Sequence, residues 1–309
     1  MIVDCHTRIW SSPAQLGREA DLVVPRMSAL GLSAPRSAAR LNASIERHRA
    51  ASQPVDISFV LGFKSRYLDA DVPNALIAEY VRQDPERLIG FAGIDPSDLP
   101  RALDEMRGAR ERLGLRGITL APAAQDLHPA DTRAMQVYAL AAELRMPVLI
   151  HSGTRFAASV KMEYARGHLF DEVAREFPSL KLIVAHLGYP WIDECLVLLA
   201  KHPNVFADIS GLMPRPWQSY NALVAAFEYG VIDKLLFGSD FPFTSATKCI
   251  ESLYSINRLA LGTGLPTVPR HLLQGIVERD ALGLLGLPAP CPPKRTRSGR
   301  LLDDHEGEN

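Results

Sequence analysis

The sequence predicts an α/β protein whose eight parallel strands close into a (β/α)8 TIM barrel. Short apolar runs of strand length alternate with helix-like segments along almost the whole chain. There are eight such runs, and repeated βα units require a parallel sheet with right-handed crossovers. No GxGxxG loop follows the first run, which removes the usual signature of an open dinucleotide-binding sheet.

Bulk composition sets the outer limits. The chain has 309 residues, 47% of them apolar and 22% charged, enough for one large domain with a sizeable core. A formal net charge of -1 gives no reason to invoke nucleic acid or an anionic membrane surface. Cys5, Cys195, Cys249 and Cys291 form no CxxC pair, so they read as reduced thiols of a cytoplasmic protein. No apolar run has the length of a membrane span, and no signal-peptide pattern opens the chain.

The elements follow in order. Met1 to His6 is a short apolar strand ending in histidine. Residues 7–55 hold Pro13, Pro25 and Pro35 and a Ser/Ala/Arg-rich helical stretch from about Ser37 to Ala51, and they read as a cap inserted over the end of that strand. Strands are then expected at 57–63, 88–94, 117–120, 147–151, 180–186, 205–209 and 234–240. Helices are expected at 72–83, 99–113, 131–145, 169–176, 191–201, 219–229, 246–260 and 268–285. The barrel domain spans 1–287, and the proline-rich, charged stretch 288–309 reads as a disordered tail.

In a closed parallel barrel the C-terminal strand ends surround one cavity, where such folds keep their chemistry. Here those ends carry His6, His151, His186 and Asp240 on strands 1, 5, 6 and 8. Imidazole and carboxylate donors suit a divalent transition metal, zinc first, with manganese as the alternative. Trp10, Trp191 and Trp217 stand just past strands 1, 6 and 7, and Trp191 is the candidate substrate contact among them. Asp208 on strand 7 reads as a residue that orients a neighbour. The remaining histidines lie in helix, loop or tail contexts and read as structural.

The motifs Val3-Asp4-Cys5-His6, Gly90 to Pro96, Leu115 to Ile118, Leu149 to Gly153, Ile183 to Gly188 and Leu236 to Pro242 together resemble the amidohydrolase-related family. The resemblance is to the branch that includes aminocarboxymuconate-semialdehyde decarboxylase, and it runs from residue 2 to about 286. It implies one divalent metal, usually zinc, held by His6, His151 and Asp240. It further implies that His186 acts beside the metal as a general base or acid, and that Asp240 doubles as a proton acceptor. Homodimers are common among the resembling proteins.

Two departures from the family pattern stand out. The first motif is commonly His-x-His, but here it reads His6-Thr7-Arg8, and a guanidinium cannot donate to a metal. Residues two apart on a strand share a face, so Arg8 is expected in the same cavity. The lysine and histidine that often follow strand 4 are replaced in Gly117-Ile118-Thr119-Leu120-Ala121-Pro122. Arg8 either holds a substrate carboxylate through its two-pronged fork or repels the metal. At about 5 Å, with an effective dielectric near 20, that repulsion reaches roughly 6 to 7 kcal/mol. Arg155, just past strand 5, is a second candidate for carboxylate binding. The expected activity is hydrolysis of a small carboxylate-bearing substrate through a metal-activated water. The alternatives are non-oxidative decarboxylation in the same cavity and an inactive ligand-binding barrel.

Overall fold

The computed structural model describes residues 1–20, 43–152 and 156–289. Eight parallel strands form one sheet in sequence order: β1 (Val3–Arg8), β2 (Ile57–Leu61), β3 (Leu88–Gly93), β4 (Gly117–Leu120), β5 (Val148–Ile150), β6 (Leu182–Val184), β7 (Val205–Asp208) and β8 (Leu235–Leu236). Apart from β1, the strands are mostly apolar on both faces because each is covered on both sides, by helices outside and by the other strands inside. Past β8 the chain pairs with β1. Cys5 N donates to Phe237 O at 2.9 Å, Arg8 N to Phe241 O at 3.0 Å, and Asp240 N to His6 O at 3.0 Å. Thr7 bridges Phe241 in parallel sense, so the barrel closes.

The interior is a packed core. Cys5, Phe59, Phe91, Leu149, Ile183 and Phe206 fill it, with Phe59 and Phe91 stacked at 4.9 Å between centroids. Ala281, Leu282 and Leu285, from the last helix, close the end opposite the polar strand termini. Fully burying side chains of this size contributes about 1.5–3 kcal/mol each.

The outer helices are α1 (Ile45–Ala51), α2 (Asn74–Gln83), α3 (Leu99–Glu111), α4 (Thr132–Glu143), α5 (Asp171–Glu176), α6 (Ile192–Lys201), α7 (Pro216–Glu228), α8 (Ala246–Tyr254), α9 (Arg270–Glu278) and α10 (Ala281–Leu285). Three expectations need correction. The helix expected at 268–285 breaks in two. Arg279 turns its guanidinium onto Leu235 O at 2.9 Å, and Asp280 starts a new helix by accepting from Gly283 N at 3.0 Å. The helix expected at 246–260 gives way after Tyr254 to a 3-10 turn. The strand expected at 234–240 keeps ladder geometry only at Leu235–Leu236, because the following residues bend to close on β1.

The stretch expected as a cap begins inside β1, which runs on to Arg8. It continues as a 3-10 helix at Pro13–Glu19 and resumes as α1. Residues 21–42 of it, Arg155, and residues 290–309 of the expected tail lie outside the described residues. Among the described residues no helix is long and apolar enough to cross a membrane.

Candidate active site

The site begins with an irregularity in β1. Val3 and Asp4 pair with Ile57 and Ser58, then Thr7 and Arg8 pair with Val60 and Leu61, so Cys5 and His6 together oppose the single residue Phe59. This is a β-bulge, which re-aims side chains at the rim of a barrel. Val3 and Cys5 pack in the barrel interior, and past the bulge the His6 ring turns toward His186.

His151 follows directly on β5, its N donating to Leu120 O at 2.8 Å, while Ser152 Oγ ties the loop to Ala185 O at 2.7 Å. His186 follows β6 in a left-handed conformation (φ 57°), as do Leu187 (49°) and Gly188 (66°). Such conformations at non-glycine residues cost on the order of 1–3 kcal/mol and persist only where the surroundings enforce them. Asp208 supplies the enforcement, since its Oδ1 accepts from His186 N at 3.1 Å. Asp240 is also left-handed (φ 64°) and is held by its N–H on His6 O.

These turns bring three imidazoles together. Ring centroids lie 4.8 Å apart for His6 and His186, 5.1 Å for His151 and His186, and 6.3 Å for His6 and His151. One nitrogen of each lies within 4.8 Å of those of the other two, and Asp240 Oδ1 stands 3.9 Å from His6 Nε2. All four residues are buried. The three histidines can hold a metal ion.

Asp208, at the end of β7, sets the protonation pattern. Burial alone would raise its pKa, but the charge and hydrogen bond of His6, with those of His186 and Ser210, hold it down to about 2. The ionised carboxylate only accepts, so the 3.0 Å contact to His6 Nδ1 places a proton on Nδ1 and leaves a lone pair on Nε2. His186 Nδ1 lies 3.0 Å from the carbonyl of Ser210, which again can only accept, so its Nε2 is the basic nitrogen. His6 Nε2 is buried and makes no hydrogen bond among the described residues. Two donors about 2.1 Å from one tetrahedral ion lie about 3.4 Å apart, so the 3.9 Å spacing of His6 Nε2 and Asp240 Oδ1 is close to what a shared ion requires. The donor set fits a divalent metal.

Arg8 is buried, its guanidinium 5.3 Å from the Phe63 ring centre and its Nη1 3.9 Å from Glu19 Oε1. Trp191 is half-buried at the start of α6, with Phe156 and the Arg166 guanidinium against its ring. The other two tryptophans stand elsewhere. Trp10 is packed in the core and Trp217 is 56% exposed, stacked on Tyr220. Thr119 is buried on β4, and its Oγ1 makes no hydrogen bond among the described residues.

Several participants had no role assigned from the sequence. Asp4 accepts from both His6 N (3.1 Å) and Ser239 N (2.9 Å), tying β1 to the segment after β8 beneath the site. Burial raises its pKa to about 6. Ser210 holds His186, and Glu19 faces Arg8.

A closed parallel barrel whose mouth gathers imidazole and carboxylate donors defines the class of metal-dependent barrel enzymes. Within that class the chain belongs to the amidohydrolase family, whose model matches residues 3–266. No match is found among curated proteins. Among solved structures, an uncharacterised TIM-barrel protein from Bordetella bronchiseptica is similar at TM-score 0.72 and 21% identity, covering 92% of this chain and 98% of that one. A probable 2-pyrone-4,6-dicarboxylic acid hydrolase from Acinetobacter baumannii is similar at 0.64 and 16%, covering 93% and 99%. A 5-carboxyvanillate decarboxylase from Novosphingobium aromaticivorans, complexed with manganese and a nitrobenzoic acid, is similar at 0.63 and 15%, covering 93% and 96%.

Proposed function

We propose that this protein is a metal-dependent hydrolase of a small carboxylate-bearing substrate, with His6, His151 and Asp240 holding one zinc or manganese ion. The observation that carries the reading is the convergence of the buried histidine donors, with Asp240 beside them, at one mouth of the barrel. The ion, when bound, would polarise a substrate carbonyl and acidify a water. The remaining work falls to the chain. His186, held by Ser210 with its basic Nε2 toward the cluster, takes a proton and returns it to the leaving group. Asp240 accepts a proton from the same side. Arg8 grips the substrate carboxylate, and the half-buried ring of Trp191 walls the entrance. A homodimer is the assembly we expect.

Decarboxylation is the second reading. The same His186, once protonated, can deliver its proton to a substrate carbon, and the manganese-bound structure noted above is that of a decarboxylase. An inactive barrel is disfavoured because Glu19 offsets the charge of Arg8. The buried, unbridged thiols of Cys5, Cys195 and Cys249 fit a reducing compartment, so we place the protein in the cytoplasm.

The test is an activity screen with aryl and pyrone carboxylate esters and lactones, run beside a carbon dioxide release assay on the corresponding acids. Hydrolysis abolished by chelator and restored by zinc or manganese supports the reading. Chelator-insensitive turnover overturns it, and metal-dependent carbon dioxide release moves the assignment to the second reading.

A further inference from the structure

Glu19 is held firmly in place. Its 3-10 helix opens with a capping box between Ser12 and Gln15, buries Leu16 in the core, and docks Arg18 N on Leu68 O at 2.8 Å. Gly17 makes the docking possible. It is left-handed (φ 52°), and a Cβ there would lie 2.1 Å from Leu68 O. Glu19 is thereby delivered to Arg8 with its side chain only 17% exposed.

Arg8 is equally fixed. Its backbone bonds the segment that carries Asp240, and its guanidinium rests on Phe63. The 3.9 Å separation from Glu19 exceeds the 2.7–2.9 Å typical of a charge-assisted hydrogen bond, so Glu19 acts on Arg8 through its charge. Between a buried group and a largely covered one such a charge is only partly screened.

We propose that Glu19 is a specificity-determining residue that balances Arg8, letting a divalent ion bind beside the cation while a substrate carboxylate can still be drawn to it. The inference rests on the reading of the donor cluster as a metal site and of Arg8 as the carboxylate anchor. It makes a prediction that ordinary structural support does not. Removing the charge of Glu19 adds one net positive charge to the cavity, which disfavours the metal and favours an anion. The two affinities must therefore move in opposite directions.

The experiment measures zinc affinity by chelator competition, and benzoate affinity of the metal-free protein by calorimetry, for wild type, Glu19→Gln, Arg8→Gln and the double variant. Melting curves establish that each is folded. In Glu19→Gln, zinc binding weakens roughly tenfold while benzoate binding tightens several-fold. In Arg8→Gln both effects reverse, and in the double variant zinc affinity returns to within about threefold of wild type. A Glu19→Gln protein that loses affinity for both probes, or for neither, overturns the role of Glu19. A wild-type protein that takes up no zinc overturns the metal reading beneath it and this inference with it.

Discussion

Replacing Asp208 by asparagine tests how the barrel prepares His6 for the proposed metal. The Oδ1 of Asp208 accepts from His186 N at 3.1 Å, Ser210 N at 3.0 Å and Ser210 Oγ, while Oδ2 faces His6 Nδ1 at 3.0 Å. An asparagine must keep its carbonyl oxygen toward the two backbone donors, since turning the amide over would set its NH2 against both. Its NH2 group then meets His6 Nδ1 and forces the proton onto Nε2, where the lone pair is needed. Partners of this kind are typically worth 10–100-fold in metal affinity, or about 1.4–2.7 kcal/mol. Alanine behaves differently. It removes every acceptor and so costs more stability, about 1–3 kcal/mol for each backbone donor left unsatisfied, but it does not impose the wrong tautomer. Chelator competition and denaturant unfolding should rank the two variants oppositely, with asparagine the more stable and the poorer zinc binder. An Asp208→Asn protein that binds zinc within threefold of wild type refutes the tautomer argument.

The other predictions concern the proton relay, acid stability and the docked segment. His186→Ala should keep its metal, as measured by plasma mass spectrometry, yet lose 10²–10⁴-fold in kcat, as expected for a lost general base. Metal loss in that variant would instead make His186 a ligand. His48 is fully buried, its Nδ1 2.7 Å from the Tyr80 hydroxyl, and burial lowers its pKa to about 4. The unfolded chain therefore binds the extra proton first as pH falls, so stability is full above about 6.5 and declines down to about 4. The loss is of order 3 kcal/mol, and His48→Gln should flatten that part of the urea-unfolding profile. A wild-type and a variant profile of equal slope would refute it. Gly17→Ala combines a left-handed penalty of about 1–2 kcal/mol with a clash on Leu68 O, so its melting temperature should fall by several degrees.

The barrel could be read from the sequence because its strands are buried on both faces, so runs such as Pro147 to Ile150 are uninterrupted by polar residues. The four polar strand ends were legible for the same reason, as histidine and aspartate closing apolar runs. Their local geometry was not. A bulge at Cys5 and His6 depends on the register against Phe59, which no local pattern encodes, and the left-handed backbone at His186 depends on an acceptor 22 residues away. Glu19 and Ser210 look like any polar loop residues until the fold sets them against Arg8 and His186. The break at Arg279 and Asp280 had a capping signal in Asp280, but the apolar periodicity on both sides masked it.

Metal content tests most directly whether the histidine cluster holds an ion. Purified, tag-free protein should carry about one equivalent of zinc or manganese by plasma mass spectrometry, and His151→Ala should carry little. A folded wild-type protein that takes up no metal, even after incubation with zinc and with manganese, would contradict the account.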